Sequence, residues 1–308
     1  MSKLVISKEK VVAVADAVRE KTGTSDGYSL DAMPDAIRGI QGGGGADFEI
    51  SDASYLFYGG ARWDYKDVFL NALTDKLTGI KGMFYNCATL QNIDLSRFDT
   101  SSITDMSYIF YGCTLLENVE ISNLNTSKVT QLSSMFCNCS NLKEIDLSSF
   151  DTSRCVTLSQ FVMNCSKLKK INLSNFDTAR TTDFSNIFSG CKELEEIIGF
   201  SATNKSGINI YFPYGTSSAY PAKLKRLVFR TDLPEGTYSI RSAINIKYCA
   251  FERTGMVEMF NSLPDISGLS LSASYKKITI TGNPCVVDGT LTDDDKAIAT
   301  NKGWTLVI

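Results

Sequence analysis

Apolar residues recur along the middle of the chain with a fixed period of 26 residues. The period is marked by Cys87, Cys113, Cys139, Cys165 and Cys191. A leucine follows each of these cysteines by three positions, and an isoleucine or valine follows it by six. The column eight positions after the first four cysteines contains Leu95, Ile121, Leu147 and Leu173. A tandem repeat of this length usually builds a stack of similar coils.

Each repeat predicts one short strand and one short helix. The alternation of Ile93 and Leu95 places two apolar side chains on one face of a strand. Asp99 begins an Asp-Thr-Ser stretch whose side-chain oxygens suit a turn. Apolar residues such as Ile103 and Met106 then recur at helical spacing. Because neither element buries its apolar side alone, neighbouring coils are expected to stack, with parallel strands about 4.8 Å apart.

The repeated motifs resemble a known family of repeats. They are Met83-Phe84-x-x-Cys87, Asp94-Leu95-Ser96 and Phe98-Asp99-Thr100-Ser101, with equivalents in the later coils. They resemble the 26-residue BspA-like leucine-rich repeat of bacterial and phage surface proteins, from about residue 77 to residue 200. The resemblance implies an α/β solenoid with one short parallel strand and a short helix per coil. It also implies a role in binding, usually without catalysis.

The first 41 residues predict two short amphipathic helices, followed by a glycine linker at 42–45. Their apolar faces carry Val11, Val14, Val18, Leu30, Met33 and Ile37. Two helices of this size cannot hold a core, so we expect them to dock on a partner or on copies of themselves. The segment resembles a module near the N-terminus of phage and prophage tail, baseplate and fibre proteins. The alternative is a plain cap for the repeats.

The strict period ends near Gly199, although Leu227 and Ile278 lie in patterns like those of the earlier strands. Thr292 is predicted to cap a helix that ends before Gly303, and a final strand is predicted from Trp304. The last segment resembles the end of phage-encoded proteins with such repeats. The chain thus divides into a helical docking module (1–41), a linker (42–45), an N-terminal cap and partial coil (46–82), regular repeats (83–199), and divergent repeats with a C-terminal cap (200–308).

Composition narrows the range of functions. The 308 residues include 31 basic and 34 acidic side chains and no histidine. Without histidine the chain cannot form a Ser-His-Asp or Cys-His relay or a histidine-containing zinc site, and its balanced charge gives no general case for nucleic acid. Neither a signal peptide nor a membrane-spanning helix is predicted, so we expect synthesis in a reducing cytoplasm without membrane insertion. No cofactor is predicted.

The nine cysteines are expected to be thiols, and the five periodic ones to pack in the core beside Leu95, Leu147 and Leu173. A soft-metal site at Cys137 and Cys139 with Cys155 is an alternative. It lacks both the C-x-x-C spacing and a fourth ligand. We therefore predict no metal site.

Two groups of residues are candidates for recognition. The residue between the inward side chains of each strand points to solvent, which defines the strand-face column Asp94, Glu120, Asp146 and Asn172. A later insertion carries the aromatic residues Tyr211, Phe212, Tyr214 and Tyr220. The first group suits a glycan or a basic partner, and the second suits protein or sugar anchoring. Simpler roles are a solvated sheet face for the first and packing over the end of the repeats for the second.

These patterns predict a non-enzymatic structural protein of a phage or prophage virion. Its N-terminal module would bind other virion proteins, with homo-oligomers expected, and its repeats would bind a glycan or protein on the host surface. A tail-fibre or baseplate component is favoured, and the alternative placement is a head fibre or capsid decoration protein. Two further classes of protein fit less well: a polysaccharide depolymerase using stacked carboxylates, and a bacterial adhesin, against which the missing export signal argues.

Overall fold

The computed structural model describes residues 77–95, 98–201, 222–230, 243–270 and 272–308, together with residues 4–5, 48–49, 53, 57 and 59. Strand β1 (Leu4–Val5) pairs in parallel with β2 (Phe48–Glu49). The two predicted N-terminal helices, the glycine linker and the aromatic insertion lie outside the described residues.

The repeat region is built from short parallel strands. Its strands are β3 (Asn92–Asp94), β4 (Asn118–Glu120), β5 (Lys170–Asn172), β6 (Glu196–Phe200) and β7 (Arg226–Phe229). β3 pairs with β4, and β5, β6 and β7 form a second sheet in that order. Asn92 lies opposite Asn118, and Lys170 lies opposite Glu196, so the pairing register of the regular coils equals the sequence period. Equivalent residues of successive regular coils therefore lie side by side. Strand β7 departs from this period, because Arg226 lies opposite Glu196.

The sequence predicts a strand in every regular coil, and the coil around Ile145 departs from this. Residues 144–146 form no strand, which divides the ladder between β4 and β5. A second line of parallel bridges crosses this coil without interruption, from Asp105 through Gln131 and Thr157 to Asp183. This second line of bridges therefore keeps the coils in register, although the sequence predicts no strand at its positions.

The predicted short helix of each coil is wrong. Between residues 98 and 201 the described chain contains short strands and turns but no helix. The N–H groups of Tyr108 and Phe110 donate to Ser133 and Met135 of the next coil, not to carbonyls one helical turn earlier. Tyr108 also has φ +63°, which a right-handed helix excludes. Successive turns still return Ile103 and Met106 to the core, because a turn also brings side chains inward every three or four residues.

The core is a set of stacked columns. All five periodic cysteines are buried, as are Leu95, Leu147 and Leu173. The rings of Phe57, Phe84, Phe110 and Phe136 stack with centroids 5.3, 5.6 and 5.4 Å apart. Val162 replaces phenylalanine in the next coil, and Phe136 there meets Phe161 edge to face. The region is a repetitive parallel-strand structure held by periodic cysteine and phenylalanine stacking.

The C-terminal part of the chain combines a short parallel sheet with three helices. β8 (Ile244–Asn245), β9 (Lys277–Thr279) and β10 (Thr305–Val307) form a parallel sheet with β9 in the centre, beside α1 (Arg253–Ser262), α2 (Pro284–Val287) and α3 (Asp293–Asn301). The Thr292 side chain accepts from Asp295 N–H and caps α3, as predicted. Trp304 is buried, and its indole N–H donates to the Pro264 carbonyl at 3.0 Å.

Candidate functional site

The strand-face column lies on the exposed side of the repeats. Asp94, Glu120, Asp146 and Asn172 are all exposed, while the residues on either side of each of them along the chain point toward the core. Two positions before Asp94 and Glu120, side chains of neighbouring coils also meet: Asn118 Nδ2 donates to Asn92 Oδ1 at 3.1 Å. The face therefore presents polar groups at one regular spacing, fixed by the stacking of the coils.

Members of the strand-face column also hold the turn that follows each strand. Glu120 Oε1 accepts from the Ser122 N–H at 3.0 Å, Asp146 Oδ1 from the Ser148 N–H at 2.9 Å, and Asn172 Oδ1 from the Ser174 N–H at 3.0 Å. A second column, which includes Asp99, caps the next turn in the same way. Each of these column residues is thus held in one orientation by its own backbone.

The two carboxylates in the middle of the column are held in the charged form. Hydrogen bonds from the hydroxyl and backbone N–H of Ser122 lower the pKa of Glu120, although the nearby charges of Asp94 and Asp146 oppose this. Hydrogen bonds from Ser148 lower the pKa of Asp146 in the same way. Donors to a carboxylate stabilise its ionised form, so this part of the face is anionic at neutral pH.

A groove of about 470 Å³ runs beside the turns that precede the periodic cysteines. This asparagine groove is lined by Asn86, Ala88, Gly112, Thr114, Asn138, Ser140 and Asn164. Asn86, Asn138 and Asn164 have φ between 57° and 64°, and Gly112 has φ +73°. The Asn164 amide donates to Asn138 Oδ1 at 2.8 Å. A sequence signal for the groove exists, since asparagine or glycine precedes every periodic cysteine, but the apolar columns alone do not reveal it.

A second groove, also of about 470 Å³, is strongly basic. This lysine groove is lined by Lys143, Ser166, Lys167, Lys169, Lys192 and Glu193. The balanced overall charge gives no indication of this groove, and no basic patch is predicted from the sequence. The signal for it is that Lys143 and Lys169 occupy the same position in neighbouring repeats.

Three tyrosines form a half-buried cluster on the first regular coils. The rings of Tyr85 and Tyr111 stack at 4.6 Å, and the ring of Tyr108 meets Tyr111 edge to face at 6.1 Å. The Lys81 ammonium lies 5.9 Å from the centre of the Tyr108 ring and pairs with Asp105 at 2.9 Å. Only stacking of the coils brings these residues together.

The remaining predicted recognition residues lie outside the described part of the chain. These are Tyr211, Phe212, Tyr214 and Tyr220 of the insertion, and Val11, Val14, Val18, Leu30, Met33 and Ile37 of the docking module.

The cysteine ladder is a structural feature. Each periodic thiol donates to a carbonyl of the preceding coil, for example Cys113 Sγ to Phe84 O at 3.1 Å and Cys139 Sγ to Phe110 O at 3.0 Å. Burial raises the pKa of Cys139 well above the usual thiol value and that of Cys191 to about 12. A protonated, buried thiol is a poor nucleophile and metal ligand. Cys137 and Cys155 are buried as well, and burial raises the pKa of each to about 11.

Metal-binding clusters and membrane-spanning helices are both absent from the described residues. No group of three or more cysteine, aspartate or glutamate side chains among them is placed to hold a metal ion. Within the same residues, none of the helices has the length and apolar character needed to cross a bilayer.

The structure and the comparisons with known proteins define a class. The fold is that of a tandem-repeat protein built on parallel strands. Residues 78–201, fewer than half of the chain, match the family described as "Mycoplasma protein of unknown function, DUF285", which is related to BspA-like repeats. The regular coils of the chain are therefore similar to a DUF285 repeat domain. Neither the curated proteins nor the solved structures include a match to the chain.

Proposed function

We propose that this protein is a non-catalytic binding protein of a phage or prophage particle. In this proposal the repeats contact a glycan or protein on the host surface, and the N-terminal module attaches the chain to other virion proteins, with several copies assembling together. The observation that carries the binding role is the exposed strand-face column, in which successive coils present oriented polar groups. Such preorganised groups lose little conformational freedom when a partner binds.

Charge indicates the kind of partner that suits the strand face. Asp94, Glu120 and Asp146 stand on successive coils, and the carboxylates of Glu120 and Asp146 are fixed by hydrogen bonds to their own turns. A basic protein surface or the hydroxyl groups of a glycan complement this arrangement. Complementarity of this type contributes mainly to specificity and to the rate of association.

The same carboxylates argue against a depolymerase. Glycoside hydrolysis requires one carboxyl group that stays protonated to act as the acid. The pKa of Glu120 and that of Asp146 are both lowered, so neither side chain meets this requirement. Binding without hydrolysis is therefore the function that this geometry favours.

Binding by the strand face is tested with the double variant Glu120→Gln and Asp146→Asn. The amides retain an acceptor oxygen for the turns but remove both charges. We expect attachment of the labelled full chain to host cells to weaken by about tenfold, from the loss of two exposed ionic contacts. Asp293→Asn with Asp294→Asn makes the same charge change on α3 and should leave attachment unchanged. Equal attachment by all three proteins would contradict the assigned face, and release of sugars by the parent protein would support the depolymerase.

Placement in the particle rests on the resemblance of residues 1–41 and of the last segment to phage proteins. A tail-fibre or baseplate position is proposed, and a head fibre or decoration protein is the second candidate. Negative-stain imaging of purified particles labelled with an antibody against this chain separates them. Absence of the chain from particles would overturn this part of the proposal without affecting the binding test.

A further inference from the structure

We propose that the lysine groove is a binding site for a linear anionic polysaccharide, one that carries carboxylate or sulfate groups along its chain. The site is distinct from the strand-face column, and binding at it does not require that the protein belong to a phage particle. It rests on four lysines that three successive coils bring to one groove.

The charge in the groove is only partly neutralised. Lys143 pairs with Glu117 at 3.3 Å, and Glu193 pairs with Lys223 outside the groove. Lys167, Lys169 and Lys192 are exposed, and none of the three forms an ion pair within the described part of the chain. Lys169 lies near enough to Glu195 for its charge to help lower the pKa of that carboxyl, whose closer partner is Lys225. Three ammonium groups thus face solvent in one groove. An anion is attracted there more strongly than at a single surface lysine.

The backbone holds the lysines in a fixed arrangement. The Lys169 N–H donates to the Lys143 carbonyl at 3.3 Å, and the Glu193 N–H donates to the Ser166 carbonyl at 3.2 Å. These bonds join all three coils that line the groove. Lys143 and Lys169 therefore sit side by side at the spacing of neighbouring coils, about 4.8 Å. A linear polymer with regularly repeated anions matches such a row better than one isolated anion does.

The lining favours a polysaccharide over different kinds of polyanion. The Ser166 hydroxyl lies within the groove, and the Asn141 amide oxygen accepts from Lys167 Nζ beside it, so polar partners for sugar hydroxyls are close. The six lining residues include no aromatic side chain, which single-stranded nucleic acids use for stacking. They also include no large apolar side chain that would insert into a membrane surface.

The test measures binding of the full-length chain to dextran sulfate by calorimetry, with neutral dextran and polyuridylate of similar length as comparison probes. We expect dextran sulfate to bind at low salt, to weaken as salt is added, and to bind more tightly than polyuridylate. Neutral dextran should not bind. The double variant Lys167→Gln and Lys169→Gln should weaken binding of dextran sulfate by about tenfold, because two exposed ionic contacts are lost.

Two controls keep the result interpretable. Lys128→Gln with Lys277→Gln removes the same charge from exposed positions outside the groove and should leave affinity unchanged, while Lys167→Arg with Lys169→Arg should retain binding. Equal weakening in the two glutamine variants would mean a general charge effect and would overturn the site. Tighter binding of polyuridylate would overturn the polysaccharide assignment, and no binding of dextran sulfate at low salt would overturn both.

Discussion

At the scale of single residues, backbone conformation decides how each coil turns. Tyr108, Ser134, Gln160 and Asn186 occupy one position of successive repeats, and all have φ between 55° and 63°. Non-glycine residues adopt this region at a cost, which the surrounding structure offsets. Because four different residue types occupy this position, no sequence pattern identifies it as left-handed. For this reason the apolar spacing predicts a helix where the structure has a turn.

The Asp295 carboxylate forms part of the cap at the start of the C-terminal helix α3. Hydrogen bonds from Arg253 and then Thr292 lower its pKa well below the usual carboxyl range. Because the folded pKa is lowered, its contribution to stability is complete above the unfolded pKa of about 4 and is lost as pH falls through the folded value. We expect Asp295→Asn to lower the melting temperature at pH 7, with a difference from the parent that shrinks below about pH 4.

The matched control is Asp293→Asn in the same turn of α3. The Asp293 side chain is 98% exposed, against 9% for Asp295, and it pairs with Lys296 in its own helix. Thermal unfolding followed by circular dichroism across this pH range should show little change for the control. A deficit of Asp295→Asn that stays constant down to the lowest pH would mean that packing, and not ionisation, is responsible.

At the scale of elements, close approach between coils imposes glycine at particular places. Gly199 lies in β6 with φ +69°, and a Cβ atom there would stand 2.4 Å from Ser174 Cα and 2.6 Å from Ser174 N. The neighbouring backbone cannot move aside as a side-chain tip can. The irregular pairing of β6 with β7 occurs at this same residue.

Three glycine-to-alanine variants separate two contributions to the loss of stability, the strained backbone angle and the steric contact. Gly199→Ala should destabilise by roughly 2 to 5 kcal/mol, from left-handed strain and steric overlap together. Gly289→Ala, with φ +74° and no atom within 4 Å of its Cβ, should lose only about 1 to 2 kcal/mol. Gly268→Ala introduces neither left-handed strain nor steric overlap, so its free energy of unfolding should stay within about 1 kcal/mol of that of the parent. Denaturant unfolding measures all three, and equal losses would contradict the close contact at Ser174.

At the scale of the whole molecule, stability is shared along the stack of coils. Each coil buries its side chains mainly against its neighbours, as the phenylalanine and cysteine columns illustrate. All nine cysteines are buried thiols that form no disulfide bond. Their thiols thus report whether the stack is intact, since only an opened coil exposes them.

We expect Ellman's reagent to leave the nine thiols of the folded chain almost unlabelled and to label all of them in denaturant. Leu147→Asp places an uncompensated charge at a site that is 2% exposed, which should cost about 3 to 5 kcal/mol. Thiol labelling should then accelerate by about a hundredfold or more, because it follows the population of the opened state. Ser149→Asp puts the same charge on an exposed neighbour and should label like the parent. Fast labelling of the parent would contradict the buried ladder.

The period, the inward columns and the parallel order of the coils can all be predicted from the amino-acid sequence. These follow from alternation and spacing, because an apolar side chain such as Leu147 must leave water whatever the detailed backbone path. The sequence also predicts the cap of α3, since Thr292 and Asp295 act within one turn.

The tertiary structure alone decided which polar residues meet. Lys143 and Lys192 are far apart along the chain and share a groove only because their coils stack. The replacement of the predicted helices by turns was decided in the same way, since the N–H of Tyr108 has its partner in the next coil. Local spacing fixes which side of a segment is buried. Hydrogen bonds between coils determine which backbone conformation places that side in the core.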